Sequence, residues 1–284
     1  MNSTQRVIKY CAMAFATFLA VAIISGIVNI GLAVVNSITD NTIVSGTKKR
    51  SVDYSESFTG VESLDIENST GTLSIKIGDE FRVEAEKVSE DFKAEVSKSG
   101  KLTVKEDNNG ISFLWFNTKG FNSFNSKVTI YVPRDFVAEE VKLNTGAGNV
   151  VLEGLNTDYL YLSAGAGNID GDRLIAKRVN IDGGVGNIKL TNVDFTNSSY
   201  ECGIGNLKIE GALLGKTEID CGVGEVDLDL EGNKDDYSFD VDAGVGSVRL
   251  NGEKIGDIQR HNEDAKNTIK IDAGVGSVNI DIKE

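Results

Sequence analysis

From residue 136 onward, hydrophobic and polar residues alternate along short segments, and each segment surrounds a Gly-x-Gly motif. Such alternation is typical of β-strands with one buried face and one solvated face. The motif occurs seven times: the first five copies are spaced 19 residues apart, and the last two intervals are 22 and 30 residues. This period predicts an all-β fold, a parallel β-helix-like β-solenoid of about seven regular rungs with one glycine corner in each.

The corners are predicted to need a positive φ or a close approach of the backbone, which glycine permits. We expect a left-handed or bridging conformation at one glycine of each pair. The paired glycines are Gly146 and Gly148, Gly165 and Gly167, Gly184 and Gly186, Gly203 and Gly205, Gly222 and Gly224, Gly244 and Gly246, and Gly274 and Gly276.

Alignment of the copies on the first glycine separates buried from exposed positions. The residues three positions before it and four positions after it are hydrophobic in every copy, so we expect them to form the core. The residue directly before it is always small and is expected to point inward at a crowded corner. The third residue after it is asparagine in the first four copies, and we expect this column to form a hydrogen-bonded ladder or to satisfy corner amides.

Residues 59–135 keep strand-like segments but lose the repeat period. We interpret them as irregular first rungs and a cap, because a solenoid must cover the exposed end of its core. Gly71 resembles a degenerate corner, and the single proline, Pro133, marks the entry to the regular rungs of residues 136–284.

Residues 10–39 contain no charged side chain. As an α-helix this segment would extend about 45 Å, more than the roughly 30 Å of a bilayer's hydrocarbon core. We therefore predict a single transmembrane anchor between a cytoplasmic tail (1–9) and a solvated linker (40–58). A cleaved signal peptide is the alternative, although the apolar run is about twice the usual length. The flank after the anchor lacks lysine and arginine up to Thr47, which favours an extracytoplasmic C-terminal domain.

The portion after the anchor is strongly acidic. It carries 27 Lys+Arg against 43 Asp+Glu, because Arg6 and Lys9 account for two of the 29 basic residues, and its net charge is −16. This balance argues against nucleic acid and against an anionic membrane surface as partners, since both favour a basic patch. It also keeps a surface domain soluble, and no cofactor is expected.

The predicted span, the divergent strands ending in Tyr131-Val132-Pro133 and the repeated Gly-x-Gly-Asn-hydrophobic rungs together resemble the putative adhesin family. Its members are bacterial β-solenoid proteins of unknown function that are often membrane-anchored. Some relatives are associated with envelope-stress operons, which suggests a regulatory or sensing role as an alternative. The resemblance covers roughly Val61 to Glu284 and implies no catalytic residue.

An outward column two positions before the first glycine carries mostly acidic residues. Stacked carboxylates about 5 Å apart repel one another, and a hard cation such as calcium would relieve that repulsion. The alternative is compensation by Lys189, Lys208 and Arg249, which lie five residues beyond the glycine. The candidate cation ladder consists of Asp182, Glu201, Asp220 and Asp242.

Two further groups are candidates for a role. Cys202 and Cys221 hold equivalent positions in adjacent copies, and we expect buried free thiols because an in-register parallel pair is poorly oriented for a disulfide. An aromatic cluster would suit either a carbohydrate or membrane contact or, as we favour, packing in the cap. This cluster comprises Phe113, Trp115, Phe116, Phe121 and Phe124.

The sequence therefore predicts a non-enzymatic, membrane-anchored, extracytoplasmic β-solenoid that acts in adhesion, binding or cell-envelope scaffolding. Its partners would be an envelope glycan or a surface protein. One alternative is a carbohydrate-active β-helix enzyme, because acid pairs alone can serve a glycosidase. Another is a cytoplasmic, bactofilin-like polymer, in which the strand from Ser277 to Lys283 would be an open edge that templates the next subunit.

Overall fold

The computed structural model describes residues 51–106, 126–255, 258–260, 262 and 264–283. The predicted anchor and the aromatic cluster lie outside these residues. Within the described ranges, no helix has the length and apolar character needed to span a membrane.

The described chain is almost entirely β-structure, with one short 3-10 helix at Lys234–Asp236. The strands are β1 (Ser51–Phe58), β2 (Ser63–Gly78), β3 (Phe81–Ser89), β4 (Phe92–Val96), β5 (Lys101–Glu106), β6 (Lys127–Pro133), β7 (Val137–Glu153), β8 (Asn156–Ala166), β9 (Ile169–Asp172), β10 (Ile175–Val185), β11 (Ile188–Ile204), β12 (Leu207–Val223), β13 (Val226–Glu231), β14 (Tyr237–Asp242), β15 (Val245–Leu250), β16 (Glu253–Ile255), β17 (Ile258–Arg260) and β18 (Asn267–Lys283).

These strands form a parallel, solenoid-like stack. From the Gly146 rung to the Gly222 rung, neighbouring rungs pair at the 19-residue offset of the repeat, so that Leu143 lies opposite Leu162, which lies opposite Ile181. All three side chains are fully buried, as are their equivalents in the other regular copies. The predicted core columns are thereby confirmed, because a period-two pattern repeated at a fixed interval places the same face inward in every rung.

The irregular strands form the first rungs and one end of the stack. Strand β2 pairs in parallel with β7, and Gly71 lies opposite Gly148, so the interpretation of Gly71 as an early corner is confirmed. On its other side β2 pairs with β5 and β6. Antiparallel strands β4 and β3 then cover β5 and β6, and β1 covers β3.

The last rungs are not stacked in sequence order. Strand β18 pairs in parallel with β12 and β13 on one side and with β14 and β15 on the other. The Gly274 corner therefore lies between the Gly222 and Gly244 corners. The alternative in which Ser277 to Lys283 forms an open edge is contradicted for Val278 to Ile280, because these residues pair with β13 on one side and with β15 on the other. The outer rung, β14 and β15, is covered by antiparallel β17 and β16.

Candidate functional site

The asparagine column forms a continuous ladder of hydrogen bonds along the stack. The side-chain oxygen of Asn149 accepts from the backbone N–H of Asn168 at 3.1 Å, and Asn168, Asn187 and Asn206 each accept from the next rung at 3.0 Å. The last of these donors is the amide of Glu225. The predicted ladder is confirmed, and it fixes the corner of each rung relative to its neighbour.

The glycines beside this ladder permit close contact between backbones. A Cβ on Gly184 would lie 2.3 Å from the carbonyl oxygen of Gly165, and a Cβ on Gly186 would lie 1.9 Å from that of Gly167. Gly186 also has a φ of +145°, so one glycine of this pair adopts a positive φ as expected. Because neither glycine carries a side chain, the residue between them has no side chain next to it in its own rung.

That middle residue is β-branched and hydrophobic in five rungs and points into solvent. Its register partners follow one another along the stack, from Val185 to Ile204, Val223, Val275 and finally Val245. Their exposed fractions are 54% for Val185, 48% for Ile204, 48% for Val223, 49% for Val275 and 71% for Val245. We call these five residues the apolar ridge. Single exposed hydrophobic residues are ordinary, but a continuous exposed line of them typically marks an interaction site.

The acidic column runs parallel to this ridge, three residues earlier in each rung. Its register order is Asp182, Glu201, Asp220, Asp272 and Asp242, so Asp272 lies within the predicted ladder. All five side chains are exposed. We call them the acidic column.

Two of these acids have close partners. Lys270 Nζ lies 2.8 Å from Asp272 Oδ2, and Asp242 Oδ1 accepts from the backbone N–H of Gly244 at 2.9 Å. The bond to Asp272, together with the negative charges of Asp272, Asp240 and Glu218, raises the pKa of Lys270. This lysine therefore remains a cation throughout the neutral range.

The predicted compensation from the other side of the corner does not match the ion pairs that are seen. Lys208 Nζ lies 3.3 Å from Asp229 Oδ2, on the strand after the corner, and this pairing raises the pKa of Lys208. Lys189 lies opposite Asp170 in the same sheet region. Lys208 therefore pairs outside the acidic column.

The cation ladder stays a prediction without geometric support. Across the part of the chain that the structure describes, no group of three or more His, Cys, Asp or Glu side chains is arranged to hold a metal ion. A groove of about 230 Å³ lies between Glu201, Glu218, Asp220, Lys270 and Asp272. Three members of the acidic column, Glu201, Asp220 and Asp272, line this groove together with Lys270.

The two cysteines lie directly beneath this surface. Cys202 and Cys221 are register partners, both are buried, and both are free thiols, as expected. The neighbouring Cys202 thiol and burial together raise the pKa of Cys221.

Sequence comparison now gives the family. The profile described as Toastrack DUF4097 matches residues 61–254, which is more than half of the chain. The chain belongs to this family. The resemblance to adhesins of unknown function is thereby confirmed, and no curated protein sequence is significantly similar.

The solved structures that resemble this Toastrack chain include the following three. A putative cell adhesion protein from Clostridium sporogenes has 18% identity and a TM-score of 0.36, with 82% of this chain and 100% of that chain covered. A putative adhesin from Bacteroides fragilis has 13% identity and a TM-score of 0.39, covering 82% and 97%. A putative lipid binding protein from Parabacteroides distasonis has 12% identity and a TM-score of 0.37, covering 83% and 98%.

The ridge of this Toastrack chain was not identified from the sequence. The signal is present in the middle position of the motif, which is alanine in the first two regular copies and valine or isoleucine in the other five. A valine within an alternating strand is ordinarily assigned to the core. Here both flanking glycines pack against the backbone of the neighbouring rung, and the side chain between them points outward.

Proposed function

We propose that this protein is a non-enzymatic binding module of the cell envelope, and that the apolar ridge is its contact surface. The carrying observation is the exposure of five β-branched side chains in one continuous line. Contact between an exposed valine or isoleucine and water is unfavourable, and a bound partner would remove that contact. A solenoid suits this role because its repeat presents the same side chain at every rung, giving a multivalent surface.

We place this module outside the cytoplasm, on a single membrane anchor formed by residues 10–39. The support is the uncharged length of that segment and the absence of lysine and arginine from the flank that follows it. Protease treatment of intact cells that carry a C-terminal epitope tag tests this placement, with lysed cells as the control for cleavage. Loss of the tag from intact cells is expected, and protection until lysis would contradict the placement.

The binding role is tested on the native complex. Membranes solubilised in mild detergent are separated by native electrophoresis, and the triple variant V185T/I204T/V223T is compared with the unchanged chain. Threonine keeps the β-branched shape and the strand preference, so the fold should be retained. Its hydroxyl replaces an exposed alkyl group, so the ridge becomes less apolar. We expect the unchanged chain to migrate in a complex that the triple variant loses.

The control is Ile175→Thr, since Ile175 is 50% exposed but lies opposite polar residues, away from the ridge. This variant should keep the complex. Equal migration of the triple variant and the unchanged chain would contradict a role of the ridge in binding.

A further inference from the structure

We propose that the apolar ridge and the acidic column together form one docking surface for a basic amphipathic α-helix of a partner protein. This inference rests on the proposed function, because it names the partner chemistry of the same surface. It follows from the joint distribution of the two columns, from their charge and from their spacing.

The two columns change together along the stack. In the first two regular rungs the middle residue is Ala147 or Ala166, and the position in the adjoining column is Asn144 or Ser163. In the next five rungs every middle residue is valine or isoleucine, and every adjoining residue is an acid. Hydrophobic bulk and negative charge therefore appear in the same rungs, which is expected of a single surface with two components.

The charge of this surface selects the partner. The five six-residue segments that run from the acidic column to the asparagine column contain six carboxylates and no lysine or arginine. These segments are 182–187, 201–206, 220–225, 242–247 and 272–277. A second copy of this chain would bring two acidic columns together and be repelled, whereas a segment carrying lysine or arginine would be attracted.

The spacing favours a helix over an extended strand. The ridge and the acidic column are three residues apart, and both are exposed because the glycine corner turns the chain between them. Three residues span at most about 10 Å, so the two columns fit within the diameter of an α-helix with its side chains. A helix laid along the ridge can place apolar side chains on it while basic side chains on a neighbouring face reach the acids. A strand in the same position directs alternate side chains to opposite faces and offers no lateral charge.

The length of the ridge sets the size of the helix. Five rungs at about 4.8 Å span about 19 Å, which equals roughly 13 residues of α-helix. The helical pitch of about 5.4 Å is near the rung spacing, so successive turns contact successive ridge residues. The bare glycine columns on both sides of the ridge leave room for those side chains.

The test uses two fluorescein-labelled 16-residue synthetic peptides that share one amphipathic pattern, one built from leucine and lysine and the other from leucine and glutamate. Each is titrated with the purified full-length chain, and binding is followed by fluorescence anisotropy. The lysine peptide is expected to bind, to gain helix by circular dichroism and to bind more weakly at high salt. Equal binding of the glutamate peptide would overturn the proposal.

The acidic contribution is tested with the variant D182N/E201Q/D220N, which leaves the paired Asp272 and Asp242 unchanged. Three exposed charge pairs together should account for a roughly tenfold change in affinity. The control E90Q/E95Q/D135N removes the same charge from exposed positions outside the regular rungs and should leave affinity within about twofold. Equal weakening in both variants would reduce the effect to net charge and overturn the docking surface.

The triple ridge variant V185T/I204T/V223T distinguishes the basic-helix partner from the more general binding role of the ridge. Weaker peptide binding in this variant supports the shared surface. If the native complex is lost in the ridge variant while the acidic variant binds the lysine peptide normally, the basic helix is overturned and the binding role of the ridge stands.

Discussion

Val223 and Val275 are register partners in adjacent parallel strands, although 52 residues separate these rungs in the sequence. The pairing shows that β18 is inserted between two rungs that precede it in the chain. It also keeps the apolar ridge continuous, because Val275 bridges Val223 and Val245. The continuity of the ridge therefore depends on the order in which the rungs stack.

The insertion predicts that β18 is among the most protected strands. Ile271 is fully buried between neighbouring rungs, so Ile271→Ala should reduce the free energy of unfolding by about 2–5 kcal/mol. Ile255→Ala, in the half-buried covering strand β16, should cost about 1 kcal/mol. Chemical denaturation measures the difference. Hydrogen exchange provides the second check: fast exchange at alternate amides of β18 would contradict a strand with two partners.

The asparagine ladder predicts a specific loss at one corner. Asn187→Ala removes the acceptor of the Asn206 backbone N–H and should cost about 1 kcal/mol of stability. Asn187→Asp keeps an acceptor oxygen at the same place and should recover most of that stability. Thermal unfolding of the two variants measures this order, and equal losses would mean that the side-chain oxygen is not what stabilises the corner.

The glycine columns predict two very different costs for the same substitution. Gly186→Ala forces a Cβ to within 1.9 Å of a backbone oxygen and should destabilise the protein by more than about 3 kcal/mol. Gly252→Ala also introduces alanine at a positive φ, but no atom lies within 4 Å of its Cβ, so it should cost only about 1 kcal/mol of strain. Soluble yield and thermal unfolding report both effects, and similar behaviour of the variants would contradict the close backbone contact.

The buried thiol pair predicts a dependence on alkaline pH. The Cys202 thiol and burial raise the pKa of Cys221 above its ordinary value of 9.0, so the folded state favours the protonated form. Its contribution to stability is complete below that ordinary value and is lost as the pH rises above it, because the unfolded thiol ionises first. Between pH 8 and pH 10.5, the free energy of unfolding should therefore fall more for the unchanged chain than for Cys221→Ala. Parallel pH profiles would contradict this account.

Much of the fold follows from the sequence because the repeat specifies it locally. A fixed 19-residue offset sets the register, so the buried column of Leu143 and the ladder through Asn187 could both be predicted. The order of the last two rungs could not, since segments 242–247 and 272–277 are identical in sequence and either could stack on the Gly222 rung. Only the long-range pairing of the whole rung distinguishes them.

The candidate site was predictable only in part, for a related reason. The acidic column is visible in the alignment, and Lys270 is only two residues from its partner Asp272. That Lys270 also lies beside Asp240 and Glu218 could not be predicted, because these residues become its neighbours only when β18 is inserted. The exposure of Val185 depends on backbone contacts at both neighbouring glycines. These contacts belong to the stack rather than to any single rung.

The most direct measurement of the central claim is site-specific photocrosslinking in living cells. A photoreactive phenylalanine derivative replaces Val223 on the ridge or, as the control, Ile175, which is similarly exposed elsewhere. The account predicts a discrete crosslinked product from position 223 that is absent from position 175. The same products at both positions, or none at position 223 while the chain is present and folded, would contradict a binding role for the ridge.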